Sequence, residues 1–339
     1  STFKQAMKSY SGNNGPEVQI RTDRDLNMKL VAAMVLVIIL VIWLVPVIPV
    51  DIFGALIITV FGFFFATVAS RIVGLVGSSN NPVSGMTIAT LLIATVIFKA
   101  IGMTGQSGMT GAIAVGSIIA IIAAISGDTS QDLKTGYIVG STPQKQQIGE
   151  LLGVIISALA IGGILYLLNA AWGYGSAELP APQAVLMKMV VEGVMDGNLP
   201  WTLVFIGAGI AVVVEILGIP VLPFAVGLYL PVHLNTAIMI GGLVRLFFEK
   251  KKKVTEDQRK EFLNKGLLYT SGMIAGEGLV GILLAVFAVV PFGAGYLGDV
   301  LNISGRFSLG SAGSIAFFIL LILSVFKFSI WNKDKKAVQ

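Results

Sequence analysis

Two carboxylates in this chain lie in surroundings that are hard on a charge. Glu277 sits in SGMIAGEGLVG between Gly276 and Gly278, and Glu215 lies four residues from the end of an apolar run at 201–219. An ionisable group inside hydrocarbon is expensive to hold there, so its default reading is functional. The flanking glycines let a neighbouring helix or a ligand approach closely. Both carboxyls are placed to take up and release protons along a path through an apolar protein. The alternative for Glu277 is a structural pairing with Arg245 or a lysine.

A second concentration of polar groups is the island Ser126–Gly149, SGDTSQDLKTGYIVGSTPQKQQIG, set between two apolar runs. Asp128 and Asp132 are four apart and share a face if the backbone is helical, with Gln131 and Lys134 beside them. Acidic residues placed directly after the small-residue stretch Ala123–Gly127 suit a gate at the inner mouth of a path. Small-xxx-small spacings at Gly136/Gly140 and Gly149/Gly153 suggest that the island packs tightly. A plain solvated loop is the competing reading.

Three further places carry polar atoms into apolar sequence. In Gly77–Thr87, GSSNNPVSGMT, the Asn81-Pro82 and Ser84-Gly85 pairs favour open backbone. Asn80, Asn81 and Ser84 then face a substrate path, or the segment is only a tight turn. His233, the single histidine, and Asn235 follow Pro231 in an apolar run, either packed at a helix break or facing the same path. Arg245 joins these candidates, although it, Arg71 and Lys99 lie near segment ends, where long stems reach the interface. Asp51 is expected to be simply solvated at an outer interface.

Enzyme chemistry finds no foothold. The sequence has no HExxH, CxxC or G-x-S-x-G pattern and no GxxxxGK[ST] phosphate loop. Zero cysteines exclude thiolate sites, and one histidine cannot supply a multi-histidine metal centre. No metal site and no cofactor are expected. The net charge of +5 is modest and resides mainly in the connectors, so it reads as membrane topology and not as nucleic-acid binding.

The elements that must hold these groups follow from composition. Hydrophobic residues make up 55% of the chain and the mean hydropathy is +0.88. Several windows carry about 18 or more nearly uncharged residues, enough to cross roughly 30 Å of hydrocarbon. The runs are continuously apolar and do not alternate, which excludes a β-barrel. The fold class is an all-α polytopic membrane protein embedded in a lipid bilayer. Apolar segments are expected at 28–50, 53–76, 84–103, 110–126, 148–170, 201–219, 221–247, 267–291 and 312–331.

Charge in the connectors sets the expected orientation. Segments 1–27, 127–147 and 248–266 and the tail from Lys327 are basic, whereas 171–200 and 292–311 are poor in Lys and Arg. Placing every basic connector in the cytoplasm fails if 221–247 crosses. It succeeds if that segment enters and turns back, as Pro223 and Pro231 encourage by interrupting a helix. The expectation is therefore about eight crossings plus one re-entrant broken hairpin at about 221–247, with a single proline-kinked crossing of atypical topology as the alternative. In domain terms this gives a polar cytoplasmic segment 1–27, a helical membrane domain 28–331 and a cytoplasmic tail 332–339. Both termini lie inside, in a cell (inner) membrane. A gradient-driven carrier suits broken helices and scattered membrane carboxylates; a non-transporting scaffold or partner subunit is the rival, and a channel ranks last because no filter-like segment repeats.

Four blocks carry a family resemblance: GDTSQDLKTGYIVGSTPQKQQIGELLG (127–153), NNPVSGMTIATLL (80–92), GIPVLPFAVGLYLPVHLNTAIMIGG (218–242) and SGMIAGEGLVGILLAV (271–286). In order and content they resemble the oligopeptide transporter (OPT) family, in its bacterial branch. The resemblance implies a proton-coupled symporter importing small peptides or metal–chelate complexes. Family members are about twice as long and built as two related halves. The chain resembles the C-terminal half, so a homologous N-terminal half is the implied partner, and Ser1 fits a piece of a longer protein. The KIPPR signature of the eukaryotic peptide-transporting branch is absent, and Asn81-Pro82 is followed by Val83 where that branch has glycine.

Overall fold

A computed structural model describes residues 20–78, 81–251, 254–293, 295–302 and 310–331. The chain divides into two compact units: Ser1–Leu159 with Ala181–Gly218, and Ala160–Pro180 with Ile219–Gln339. Almost everything described is helical, as hydrocarbon demands of a backbone that must satisfy its own hydrogen bonds. In order the helices are α1 (Met28–Leu44), α2 (Ile52–Val76), α3 (Val83–Ala100), α4 (Gly105–Val139), α5 (Pro143–Ala171), α6 (Pro182–Met195), α7 (Trp201–Ile216), α8 (Val221–Tyr229), α9 (Val232–Glu249), α10 (Glu256–Val289), α11 (Leu297–Leu301) and α12 (Gly310–Phe326). A 3-10 turn at Arg21–Asp23 precedes them, a two-residue antiparallel pair (Pro291–Phe292 with Gly295–Tyr296) follows α10, and a π turn at Lys327–Trp331 follows α12.

Among the described residues, seven helical stretches are long and apolar enough to cross a bilayer: Arg21–Leu44, Ile52–Leu75, Val83–Ala100, Gly105–Val139, Pro143–Ala171, Glu256–Val289 and Gly310–Ile330. With the shorter apolar helix Trp201–Ile216 they match the eight segments expected to cross. The ninth apolar segment is broken, with α8 and α9 meeting at Leu230–Pro231.

The first unit is built on α2, α3, α4 and α6. One face of α3 is buried at Met86, Thr87, Thr90, Leu91, Ala94, Thr95 and Phe98, a helical stripe. Its threonines fit there because each hydroxyl is satisfied within the helix. Thr87, Thr90 and Thr95 donate to the carbonyls of Val83, Met86 and Leu91 at 2.8, 2.9 and 2.6 Å. Leu91, Ala94 and Phe98 pack with Ala55 and Ile58 of α2, Ala112 and Val115 of α4, and Val191 and Met195 of α6. Small residues set the spacing: a methyl on Gly116 would stand 2.5 Å from Leu91 Cδ2.

Three expectations need correction. The polar island is not a connector. Its first fourteen positions continue α4 to Val139, Gly140 closes that helix in the left-handed conformation, and Pro143 opens α5. A glycine C-cap and an N-terminal proline are efficient helix punctuation, so the true turn is only three residues. The span 171–200 likewise holds the 14-residue helix α6. Asp51 is more than solvated, because its Oδ1 accepts from the Gly54 amide at 2.8 Å and caps α2.

In the second unit, Thr255 and Gln258 form a reciprocal capping box at the start of α10. Phe247 and Phe248 of α9 pack against Phe326 of α12, with ring centroids 5.3 and 5.0 Å apart. Tyr269 of α10 stacks on Phe328 at 4.4 Å and donates to Ser324 Oγ at 3.1 Å.

Candidate functional site

The two polar segments singled out in the sequence meet in the first unit. The connector between α2 and α3 lies along α4 where that helix turns polar. The Ser78 amide donates to Gln131 Oε1 at 2.7 Å, and Asn81 Nδ2 donates to the Ala123 carbonyl at 2.9 Å. Ser70 Oγ donates to the Ser126 carbonyl, and Ser130 Oγ returns a bond to the Ser70 carbonyl, both at 3.2 Å. Gly127 makes the approach possible, since a Cβ there would stand 2.7 Å from Asn81 Nδ2 and 2.8 Å from Val73 Cγ2. The other carboxamide oxygen, Asn81 Oδ1, is buried with no hydrogen-bond partner. Ser84, at the start of α3, donates to Gln183 Oε1 of α6 at 3.2 Å. Asn80 lies outside the described residues.

A carboxyl–amide cluster occupies the hairpin between α4 and α5. Asp132 accepts from Gln146 Nε2 at 3.1 Å through Oδ2 and at 3.2 Å through its backbone carbonyl. The Glu150 carboxyl faces the Thr129 hydroxyl and the Asp132 carboxylate, while its Oε1 is buried with no hydrogen-bond partner. Gly136 is buried against the Gln146 carboxamide, so the expected close packing occurs there. Gly149 and Gly153, by contrast, have open space beside them within this chain. Asp128 and Lys134 are exposed, and the Lys134 ammonium stands 5.0 Å over the Tyr137 ring.

The sequence reading missed Gln146, Gln147 and Glu150, and it missed a strap from the N-terminal segment. Arg21 donates to Thr142 Oγ1 at 3.0 Å and to the Gly140 carbonyl at 2.8 Å. The Gln144 amide donates to the Arg24 carbonyl at 2.8 Å, the Leu26 amide to Gln147 Oε1 at 2.9 Å, and Gln147 Nε2 to Asp25 at 3.2 Å. Five bonds thus fasten residues 21–26 over the α4–α5 turn. The available signal was Gly140 followed by Pro143, which marks a helical hairpin and would have brought Asp132, Gln146 and Glu150 together.

The candidates within the apolar segments belong each to its own unit, Glu215 to the first and Asn235, Arg245 and Glu277 to the second. Glu215 near the end of α7 and Glu277 in the middle of α10 are both exposed on the chain's surface, with no polar partner among the described residues. Gly276 and Gly278 have open space beside them. Arg245 is paired with Glu249 at 2.8 Å, so it is not the partner of Glu277. At the α8–α9 break, Asn235 Nδ2 donates to the carbonyls of Gly227 and Leu230, each at 2.9 Å. The His233 backbone lies in α9, and its side chain is outside what is described. Among the described residues no group of three His, Cys, Asp or Glu is placed to hold a metal ion.

Long apolar helices, a proline-broken pair and polar groups gathered at helix ends define a polytopic α-helical membrane protein. A sequence model described as "OPT oligopeptide transporter protein" matches residues 1–288, and the chain belongs to that family, one of transporters and not of enzymes. A putative oligopeptide transporter of Haemophilus influenzae is 30% identical over 299 residues, covering 77% of this chain and 47% of that protein. A probable metal-nicotianamine transporter of Oryza sativa subsp. japonica is 23% identical over 58% of this chain and 30% of its own length. Another, from Arabidopsis thaliana, is 26% identical over 54% of this chain and 28% of its own length. The chain therefore spans about half, or less, of the curated relatives it matches. No solved structure matches it at a significant level.

Proposed function

We propose that this chain forms part of a proton-coupled symporter that imports small peptides or metal–chelate complexes by alternating access. The observation that carries the reading is the junction of the α2–α3 connector with the polar end of α4. There a transporter-family chain has Asn81, with an unsatisfied buried oxygen, against Gly127 and the Ala123 carbonyl, beside the Ser78–Gln131 bond. An unpaired acceptor beside open backbone suits a surface that exchanges partners between two states. In this proposal Asn80, Asn81, Ser84, His233 and Asn235 border the substrate path. Asp128, Gln131, Asp132 and Lys134 form the cytoplasmic gate, Glu277 and Glu215 carry the proton, and a homologous N-terminal half completes the path. In the same reading both termini are cytoplasmic, the membrane is the cell (inner) membrane and 221–247 is re-entrant, which the basic character of the connectors supports. Relatives named for oligopeptides and for metal–nicotianamine define the two substrate classes to compare.

The test is uptake by the complete transporter in proteoliposomes, with a small peptide or a chelated transition metal supplied under an imposed inward proton gradient. The expected result is accumulation of one class that collapses when the gradient is dissipated, and that no longer follows the gradient in Glu277→Gln. Accumulation that ignores the gradient sinks the coupling. An unaltered gradient dependence in Glu277→Gln removes that residue from the proton path.

A further inference from the structure

We propose that the cavity between the end of α9 and the start of α10 binds the phosphate headgroup of an anionic phospholipid, with an acyl chain in the apolar groove beside it. The cavity measures about 450 Å³ and lies wholly within the second unit. Its lining divides by chemistry.

The rim is cationic. Arg245 uses Nε on Glu249, and the terminal nitrogens of its guanidinium have no partner among the described residues. Lys260 also lines the cavity and makes no ion pair among the described residues. The Lys251 ammonium stands 5.4 Å from the ring centroid of Phe262, another lining residue. The wall holds Ser329, only 2% exposed, whose Oγ is buried without a hydrogen-bond partner. That hydroxyl fits because Gly266 lacks a side chain; a Cβ there would stand 2.7 Å from it. A buried, unpaired donor beneath a cationic rim is matched by an oxygen-rich anion.

The rest of the lining argues against a free inorganic ion. Val244, Phe248, Leu263 and Leu267 give the cavity an apolar body that a bare phosphate does not use. Phe248 packs on Phe326, and Phe326 borders a groove of about 500 Å³ walled by Leu320, Leu323 and Ile330. A headgroup at the rim thus has an apolar track for its chain. The basic segment after α9, expected on the cytoplasmic side, adds attraction for the anionic lipids of that leaflet. None of this depends on the transport reading or on Glu277.

Native mass spectrometry of the complete protein in detergent provides the test, with dioctanoyl phosphatidylglycerol, dioctanoyl phosphatidylcholine and inorganic phosphate as probes. Phosphatidylglycerol is expected to bind about tenfold more tightly than phosphatidylcholine, since two or more cations face one anionic headgroup. Phosphate at millimolar concentration should not displace it. The double variant Arg245→Gln/Lys260→Gln should lose that preference, and Ser329→Val should weaken binding without changing charge. Circular dichroism of each variant confirms that it is folded. Equal binding of the two lipids, or full phosphatidylglycerol binding by the folded double variant, overturns the proposal. Displacement by phosphate shows a simple anion site, displacement by a small peptide shows a substrate site, and either also overturns it.

Discussion

Asn235 stands one turn beyond Pro231 and satisfies the carbonyls that the proline leaves behind. Proline offers no N–H and interrupts the helix, so the end of α8 would present bare oxygens within an apolar segment. The Asn235 carboxamide supplies both missing bonds, to Gly227 and to Leu230 at 2.9 Å. The break is therefore a built element. Asn235→Leu should destabilise the protein by about 1–3 kcal/mol through the unsatisfied carbonyls. It should lower the thermal midpoint in detergent more than Thr236→Val, one position on, whose hydroxyl only back-bonds within its own helix. Equal midpoints would remove the repair role.

Gly127 and Gly149 should respond in opposite directions to alanine. Alanine in a helix interior normally gains about 0.5–1 kcal/mol over glycine. Gly149 has open space and should show that gain, whereas a methyl at Gly127 meets Asn81 and Val73 below 3 Å. Overpacking of this kind costs about 1–3 kcal/mol, so Gly127→Ala should be net destabilising. Thermal unfolding of the two variants side by side checks the sign of each.

Lys99 does more than reach for water. Its ammonium donates to the Val194 carbonyl at 2.8 Å and ties α3 to the end of α6. Lys99→Met keeps the apolar stem and removes the bond, at an expected cost of about 1–3 kcal/mol. Amide exchange in residues 190–196 should accelerate, while exchange around Thr90, which is satisfied within its own helix, should not.

Arg21→Ala should loosen the strap over the α4–α5 turn. Two of its five bonds disappear, and the Gln144 amide, bonded to the Arg24 carbonyl, is the sensitive reporter. Exchange at Gln144 should rise by about tenfold, the expected effect of losing one to two kcal/mol of local stability. An unchanged rate would mean that the strap holds by its remaining contacts alone.

What the sequence revealed and hid follows from the forces involved. Candidate spans are written in uninterrupted apolar length: among the described residues seven of the eight expected are helices long enough to cross, and the eighth is the shorter apolar helix Trp201–Ile216. Helix breaks are legible at Pro231 because the chemistry is local. Helix α6 was obscured because Gly, Pro and Asn on either side dominate the composition of 171–200. Pro182 followed by apolar residues at 185, 186, 190, 191 and 194 was the fainter, correct cue. The island misled for the opposite reason: polar residues on an otherwise apolar chain suggest a loop, yet Asp, Gln and Lys continue a helix wherever water reaches it. The pairing of Asn81 with Ala123, 42 residues apart, rests on tertiary packing that no local pattern encodes.

Helix α4 has 35 residues, which at 1.5 Å per residue is about 50 Å, against roughly 30 Å of hydrocarbon. About 20 Å of it therefore projects beyond the apolar layer as one unbroken rod carrying Asp128, Gln131, Asp132 and Gly136. Such a rod is a lever. A slight tilt where α4 packs on Leu91 and Phe98 becomes a sideways sweep of several ångströms at the end the strap holds. On this geometry, releasing the strap is expected to be read as faster amide exchange along the polar end of α4 as well as at the turn, a coupling that exchange in Arg21→Ala measures directly.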